Sequence, residues 1–160
     1  MEQKRKVRSD KKVDVKPTLP NDTKQLLYDF CFLSDEHVKD VGEKLCLLGL
    51  EYRDVIDKLR PKFRRNYRFE NTMMMGNADL GRMDTSIEGR TSKVTIKFKK
   101  PDYDRLCELA YALDVSPTTA AGLLIRLTLS NRGFMKEYTK HHVPHLDNVQ
   151  VLSLREFLSL

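Results

Sequence analysis

The 160-residue chain has no tryptophan and only three cysteines, Cys31, Cys46 and Cys107, which are widely spaced and show no CxxC or Cys/His ligand pattern. That excludes a disulfide scaffold and a zinc module, and reads as thiols buried among apolar neighbours. No apolar run approaches the ~18 residues of a membrane span, and the basic N-terminus leads into no apolar secretion segment. A soluble, cytoplasmic protein without a membrane partner is expected. Gly-rich phosphate loops, HExxH, a nucleophile elbow and paired-carboxylate signatures are missing too, so neither an enzyme nor a cofactor is expected. With 32% charged and 40% hydrophobic residues, the chain supports a modest core, one ordinary domain or two very small ones.

Positive charge is present, and it is unevenly placed. The net formal charge of +6 divides into +4 over residues 1–21, −4 over 22–59, +7 over 60–100 and −1 over 101–160. A localised excess binds a polyanion, whereas a diffuse one mainly keeps a protein soluble. The first 21 residues carry many charges, two prolines and few large apolar groups, which predicts a basic disordered tail. Such a tail either solubilises the chain or grips phosphates.

Within the second basic segment, "SKVTIKFKKP" alternates strictly, with Val94, Ile96 and Phe98 on one side and Lys93, Thr95, Lys97 and Lys99 on the other. This is a strand with a lysine-lined face. An ordinary edge strand would use such lysines to block aggregation. The sequence after it matters more. Tyr103, Leu106, Leu109, Ala110 and Leu113 form one stripe of an amphipathic helix, with Pro101, Asp102 and Asp104 suited to its first turn. A second helix follows: Ser116 is a good N-cap, Pro117 fits the first helical position, and Ala120, Leu123, Leu124 and Leu127 face inward. One strand and two short helices bury too little alone, so a partner strand is required. A two-fold dimer with antiparallel strands over four helices supplies it, leaving the lysines on a two-stranded ribbon.

Residues 92–131, through "VTIKF", "DYDRLCELAYAL" and "DVSPTTAAGLLI", resemble the ribbon-helix-helix DNA-binding family of Arc, MetJ and CopG repressors. The family often carries glycine where Asp114 stands. The resemblance implies a mainly α fold with a short β-ribbon, a homodimer, and double-stranded DNA as partner, the ribbon lying in the major groove. It also implies that Lys93, Thr95 and Lys97 read bases. Lys99 and the start of the second helix, Ser116, Thr118 and Thr119, would hold phosphates.

Tyr28 to Leu59 offers two readings. Alternating Tyr28, Phe30 and Phe32, then Val38, Val41, Leu45 and Leu48, then Gly49-Leu50 as a turn, repeat the strand-helix-helix order as a degenerate second unit, which would either pair with the later unit within one chain as a pseudo-two-fold dimer or dimerise with another chain. Alternatively "DTKQLLYDFCFLS" is a helix with Leu26, Leu27, Phe30 and Leu33 inward, and residues 22–59 form a small helical module. Residues 60–91 read as a basic, flexible connector. In it Arg64 and Arg65, beside Arg60, Lys62 and Arg68 and interleaved with Phe63, Tyr67 and Phe69, are placed on phosphates. The ribbon-helix-helix unit spans 92–133. Residues 134–160 end in an apolar docking segment that covers a core or binds another protein. Its His141, His142 and His145 have poor ligand geometry, and no metal is expected.

The leading expectation is a sequence-specific DNA-binding protein, a transcriptional repressor or an origin or relaxosome accessory factor of a mobile genetic element. The alternatives are an antitoxin-like interaction module binding a partner protein through 136–160, and non-specific single-strand or RNA binding by the connector.

Overall fold

A strand whose backbone groups lack partners cannot persist, and the fold is organised by what completes the strand at 91–98. The computed structural model describes residues 11–143 and 146–159. The first half runs β1 (Val13–Val15), β2 (Thr18–Pro20), α1 (Asn21–Ser34), α2 (Val38–Glu51) and α3 (Arg53–Leu59). A hairpin, β3 (Tyr67–Phe69) and β4 (Thr72–Met74), lies in the middle. The second half runs β5 (Thr91–Lys93), β6 (Ile96–Phe98), α4 (Lys100–Leu113), α5 (Pro117–Leu129), α6 (Arg132–His142) and α7 (Asn148–Ser159). The chain is mainly helical with short antiparallel strand pairs. Among the described residues no helix is long and apolar enough to cross a membrane.

The partner strand comes from the same chain. β1 pairs with β6 through Val13–Phe98, Asp14–Lys97 and Val15–Ile96, and β2 pairs with β5 through Thr18–Lys93, Leu19–Ser92 and Pro20–Thr91. Both sets share one register, so the four pieces form a single ribbon of residues 13–20 against 91–98. Pro17 has no N–H to give and interrupts the ladder, but its carbonyl accepts from the Val94 amide at 3.1 Å. Residues 13–20 therefore correct the expected disordered tail over 1–21. Val15, Pro17 and Leu19 are buried against the helices, and their apolar content, read as too thin for order, is spent on one side of a strand. Residues 1–10 lie outside the described residues.

The two halves repeat at an offset of 79 residues. α1 and α4 begin at Asn21 and Lys100, and α2 and α5 begin at Val38 and Pro117. Both corners turn at a left-handed aspartate, Asp35 (φ 54°) and Asp114 (φ 57°). The amide after each reaches back to close its helix, Glu36 to the Cys31 carbonyl and Val115 to the Ala110 carbonyl, both at 3.0 Å. Aspartate thus adopts the conformation for which glycine is usual. The strand pairing obeys the same symmetry: Val13 meets Phe98 and Leu19 meets Ser92, and each pair exchanges under the 79-residue offset. A pseudo-two-fold axis passes between Lys16 and Thr95.

A strand-helix-helix order therefore occurs in both halves, in the first at 13–51 and not at the Tyr28–Leu59 stretch where the alternation lies. The strand reading of Tyr28, Phe30 and Phe32 is corrected: these residues are in α1, where Leu27 and Phe30 are buried and Phe32 is exposed. Gly49 is no turn but an interior residue of α2. There it meets its own symmetry mate. A Cβ on Gly49 would stand 2.9 Å from Thr128 Cγ2, at the crossing of α2 and α5. Gly42 likewise lets α2 approach Ile96 of the ribbon, where a Cβ would stand 3.0 Å from Cδ1.

The connector is not uniformly flexible. Phe63, Tyr67, Phe69 and Met74 are buried, and β3 and β4 turn through Glu70 (φ 53°) and Asn71. α6 and α7 cover this chain's own core. Phe134 packs edge-on against Tyr52, Tyr138 packs edge-on against Phe30, and Leu154 is fully buried. Cys31 and Cys46 are buried thiols and Cys107 is half-buried. Burial, with a smaller contribution from Glu36, pushes the Cys31 thiol up to about 12.

Candidate nucleic-acid interface

Alternation sends every second ribbon residue away from the helices. Val15, Pro17, Leu19, Val94, Ile96 and Phe98 are buried, and the side chains between them make the outer face: Asp14, Lys16 and Thr18 on one strand, Lys93, Thr95 and Lys97 on the other. Lys93 and Lys97 are exposed and Thr95 is half-buried, so the three predicted base-reading residues share one face. The new neighbours change its charge. Asp14 lies opposite Lys97, with its carboxylate 3.9 Å from Nζ and both side chains about half exposed. Thr18 lies opposite Lys93. Three lysines against one aspartate leave the face positive.

Asp14, Lys16 and Thr18 were missed by sequence reasoning. Their signal was the alternation of Val13, Val15, Pro17 and Leu19 with polar residues, obscured by the two prolines.

Beside the ribbon, α5 begins within reach of the strands. An open groove of about 370 Å³ is lined by Thr18 and Thr91 of the ribbon, Thr118, Thr119 and Arg126 of α5, and Asp84 of the connector. Ser116 caps α5: its Oγ accepts from the Thr119 amide at 3.1 Å and donates to Thr119 Oγ1 at 3.0 Å. The Thr119 amide is thus already engaged. With Pro117 lacking an N–H, the exposed Thr118 amide and the hydroxyls are what this terminus presents to an anion. Lys99 is exposed at the end of β6, where it caps α4. At the equivalent start of α2 stand His37, Lys39 and Asp40, all exposed, which no sequence signal marked.

Arg64 and Arg65 are held at the end of α4 rather than on the ribbon. Their amides donate to the Ala112 carbonyl at 2.8 and 3.1 Å, and Arg65 stacks over Tyr111 at 4.2 Å from the ring centre. Arg64, Arg65 and Arg82 converge on Asp114; Arg64 donates to its Oδ2, and Arg82 Nε lies 3.3 Å from the same oxygen. Desolvation pushes the Asp114 carboxyl up, but the three guanidinium groups outweigh it and hold the pKa below the usual carboxylate value. Positive groups at the C-terminus of α4 also complement its dipole. Phe63, Tyr67 and Phe69, which interleave with these arginines in the sequence, are buried.

No three potential metal-ligating side chains cluster among the described residues. His142 packs on Tyr138 at 5.3 Å between ring centres, His141 is exposed, and His145 lies outside the described residues.

The chain matches no family model, no curated protein and no solved structure. The geometry of the ribbon therefore has to carry the functional reading.

Proposed function

We propose that the chain is a sequence-specific double-stranded DNA-binding protein in which two ribbon-helix-helix units are joined in one polypeptide. It would act, without catalysis, as a transcriptional repressor or as an accessory factor at an origin or relaxosome of a mobile element. The supporting observation is the two-stranded antiparallel ribbon with Lys16, Lys93, Thr95 and Lys97 outward and four helices behind it. A ribbon of this width fits the major groove, where lysine donates to guanine O6 and N7 and threonine meets thymine or adenine edges. Ser116, Thr118 and Thr119 flank the ribbon where backbone phosphates would run, with Lys99 at its end.

Two strands from one chain complete the ribbon, so a single molecule is the reading unit and self-association serves higher-order assembly. The test is duplex selection at fixed salt with Lys97→Ala and Thr95→Ala. Each is expected to lose roughly 1–3 kcal/mol of base discrimination while retaining phosphate-driven affinity. Unchanged discrimination in both variants would sink the assignment.

A second reading draws on Val149 and Leu152, which are 70% and 58% exposed on α7. They favour a protein partner for the C-terminal segment, as in an antitoxin. The paired variant Val149→Asp with Leu152→Asp should then keep DNA affinity but lose any partner that co-purifies with the full chain.

A further inference from the structure

We infer that this chain reads a non-palindromic duplex site, its two halves recognised by different cross-strand pairs: Asp14 with Lys97 on one side of the pseudo-two-fold axis and Thr18 with Lys93 on the other. The inference rests on the DNA-reading role proposed above. Two copies of one strand related by a true two-fold would set the same side-chain pair over both halves and favour an inverted repeat. Here the backbone keeps the two-fold and the outer face does not.

At the three central inward positions the symmetry mates are all apolar and buried, Val15 and Val94, Pro17 and Ile96, Leu19 and Phe98, while at the ribbon's end half-buried Val13 is matched by half-buried Ser92. At the three outward positions every mate differs: Asp14 stands where the other strand has Lys93, Lys16 where it has Thr95, and Thr18 where it has Lys97. The symmetry is thus retained where packing requires it and lost where side chains face a ligand. The difference is also chemical. An ionised carboxylate only accepts, so Asp14 is repelled by the guanine O6/N7 edge and matched by the amino group of cytosine or adenine. Lys97 beside it only donates, and a G·C pair offers both groups what they require. Across the axis, Lys93 keeps the guanine preference, while Thr18 offers a methyl and a hydroxyl that suit thymine or adenine. The flanks differ in the same sense, with Ser116, Thr118 and Thr119 at one helix start and His37, Lys39 and Asp40 at the other.

The experiment selects random 20-base-pair duplexes on the full chain at fixed salt and sequences the bound fraction. The wild type is expected to enrich a motif with unlike halves. The triple variant D14K/K16T/T18K, which repeats the second strand's outer face on the first, should enrich an inverted repeat instead, each protein preferring its own site by about tenfold or more in competition. An inverted repeat enriched by the wild type overturns this inference and leaves the DNA-reading role standing. No enriched motif at all overturns both. Because the triple variant sets lysines opposite Lys97 and Lys93, Asp14→Asn serves as a milder second probe that keeps the side chain's shape. Loss of preference confined to one base pair of one half supports the inference; loss in both halves, or in neither, overturns it.

Discussion

Gly49 and Thr128 are symmetry mates that touch where α2 crosses α5, so Gly49→Ala tests the two-fold packing directly. The added methyl would lie 2.9 Å from Thr128 Cγ2 and 3.5 Å from Leu124 Cδ2, whereas carbon atoms prefer roughly 3.5–4.0 Å. Thr128 cannot turn away freely. Its hydroxyl donates to the Leu124 and Ile125 carbonyls at 2.7 and 3.1 Å, so a new rotamer forfeits a buried hydrogen bond, about 1 kcal/mol. Forcing the helices apart instead incurs the usual ~1–3 kcal/mol of overpacking. Against this, alanine in a helix interior gains about 1 kcal/mol over glycine. The decisive quantity is therefore the change between two backgrounds. In the wild type, Gly49→Ala should be destabilising. In a Thr128→Ser background, which deletes Cγ2 and keeps the hydroxyl, the same substitution should become neutral or stabilising, with a coupling of about 1 kcal/mol or more. Urea unfolding of the four proteins at matched slopes reads this out. If Gly49→Ala stabilises both backgrounds equally, the close crossing of α2 and α5 is refuted.

Two further outcomes follow from the ribbon and its supports. Leu19→Ala should cost roughly 2–5 kcal/mol in urea unfolding, because Leu19 is fully buried, while Lys16→Ala on the outer face should change stability by about 0.5 kcal/mol or less; a Leu19→Ala variant as stable as wild type would mean that residues 13–20 are not part of the fold. For Asp114, the folded pKa lies below the unfolded value of about 3.9, so its contribution is present above that pH and is lost as pH falls through the folded pKa. Wild type should thus exceed D114N in stability near pH 6 and converge with it under strong acid, asparagine still tolerating the left-handed turn; a gap that persists unchanged at low pH would show that the arginine cluster does not act through the carboxylate charge.

How much was legible in the sequence depended on whether local periodicity was accompanied by favourable punctuation. The strand at 92–98 and the stripes of α4 and α5 could be read because alternation, Asp102, Ser116 and Pro117 all agree locally, and the structure buries Leu106, Leu109, Leu113, Ala120 and Leu124 as that pattern requires. α1 stood as one of two readings, since Leu27 and Phe30 serve a helix while Tyr28, Phe30 and Phe32 alternate as in a strand. Nothing local decides between them. What decides is that α1 is needed to pack on a ribbon already completed elsewhere. Charge alone placed Arg64 and Arg65 on phosphates and gave no sign of their ion pairs with Asp114, fifty and forty-nine positions away.

Sequence by itself determined the helices with clean apolar stripes and the lysine face of one strand, since each depends on neighbours within about one helical turn or one strand. Tertiary structure alone decided that the partner strand is residues 13–20 of the same chain. It also set Asp14, Lys16 and Thr18 beside the lysines and placed Gly49 against Thr128. The physical reason is that pairing a proline-containing segment across some 80 residues gains nothing locally; it is favourable only when Val15, Pro17 and Leu19 find the helices of both halves beneath them.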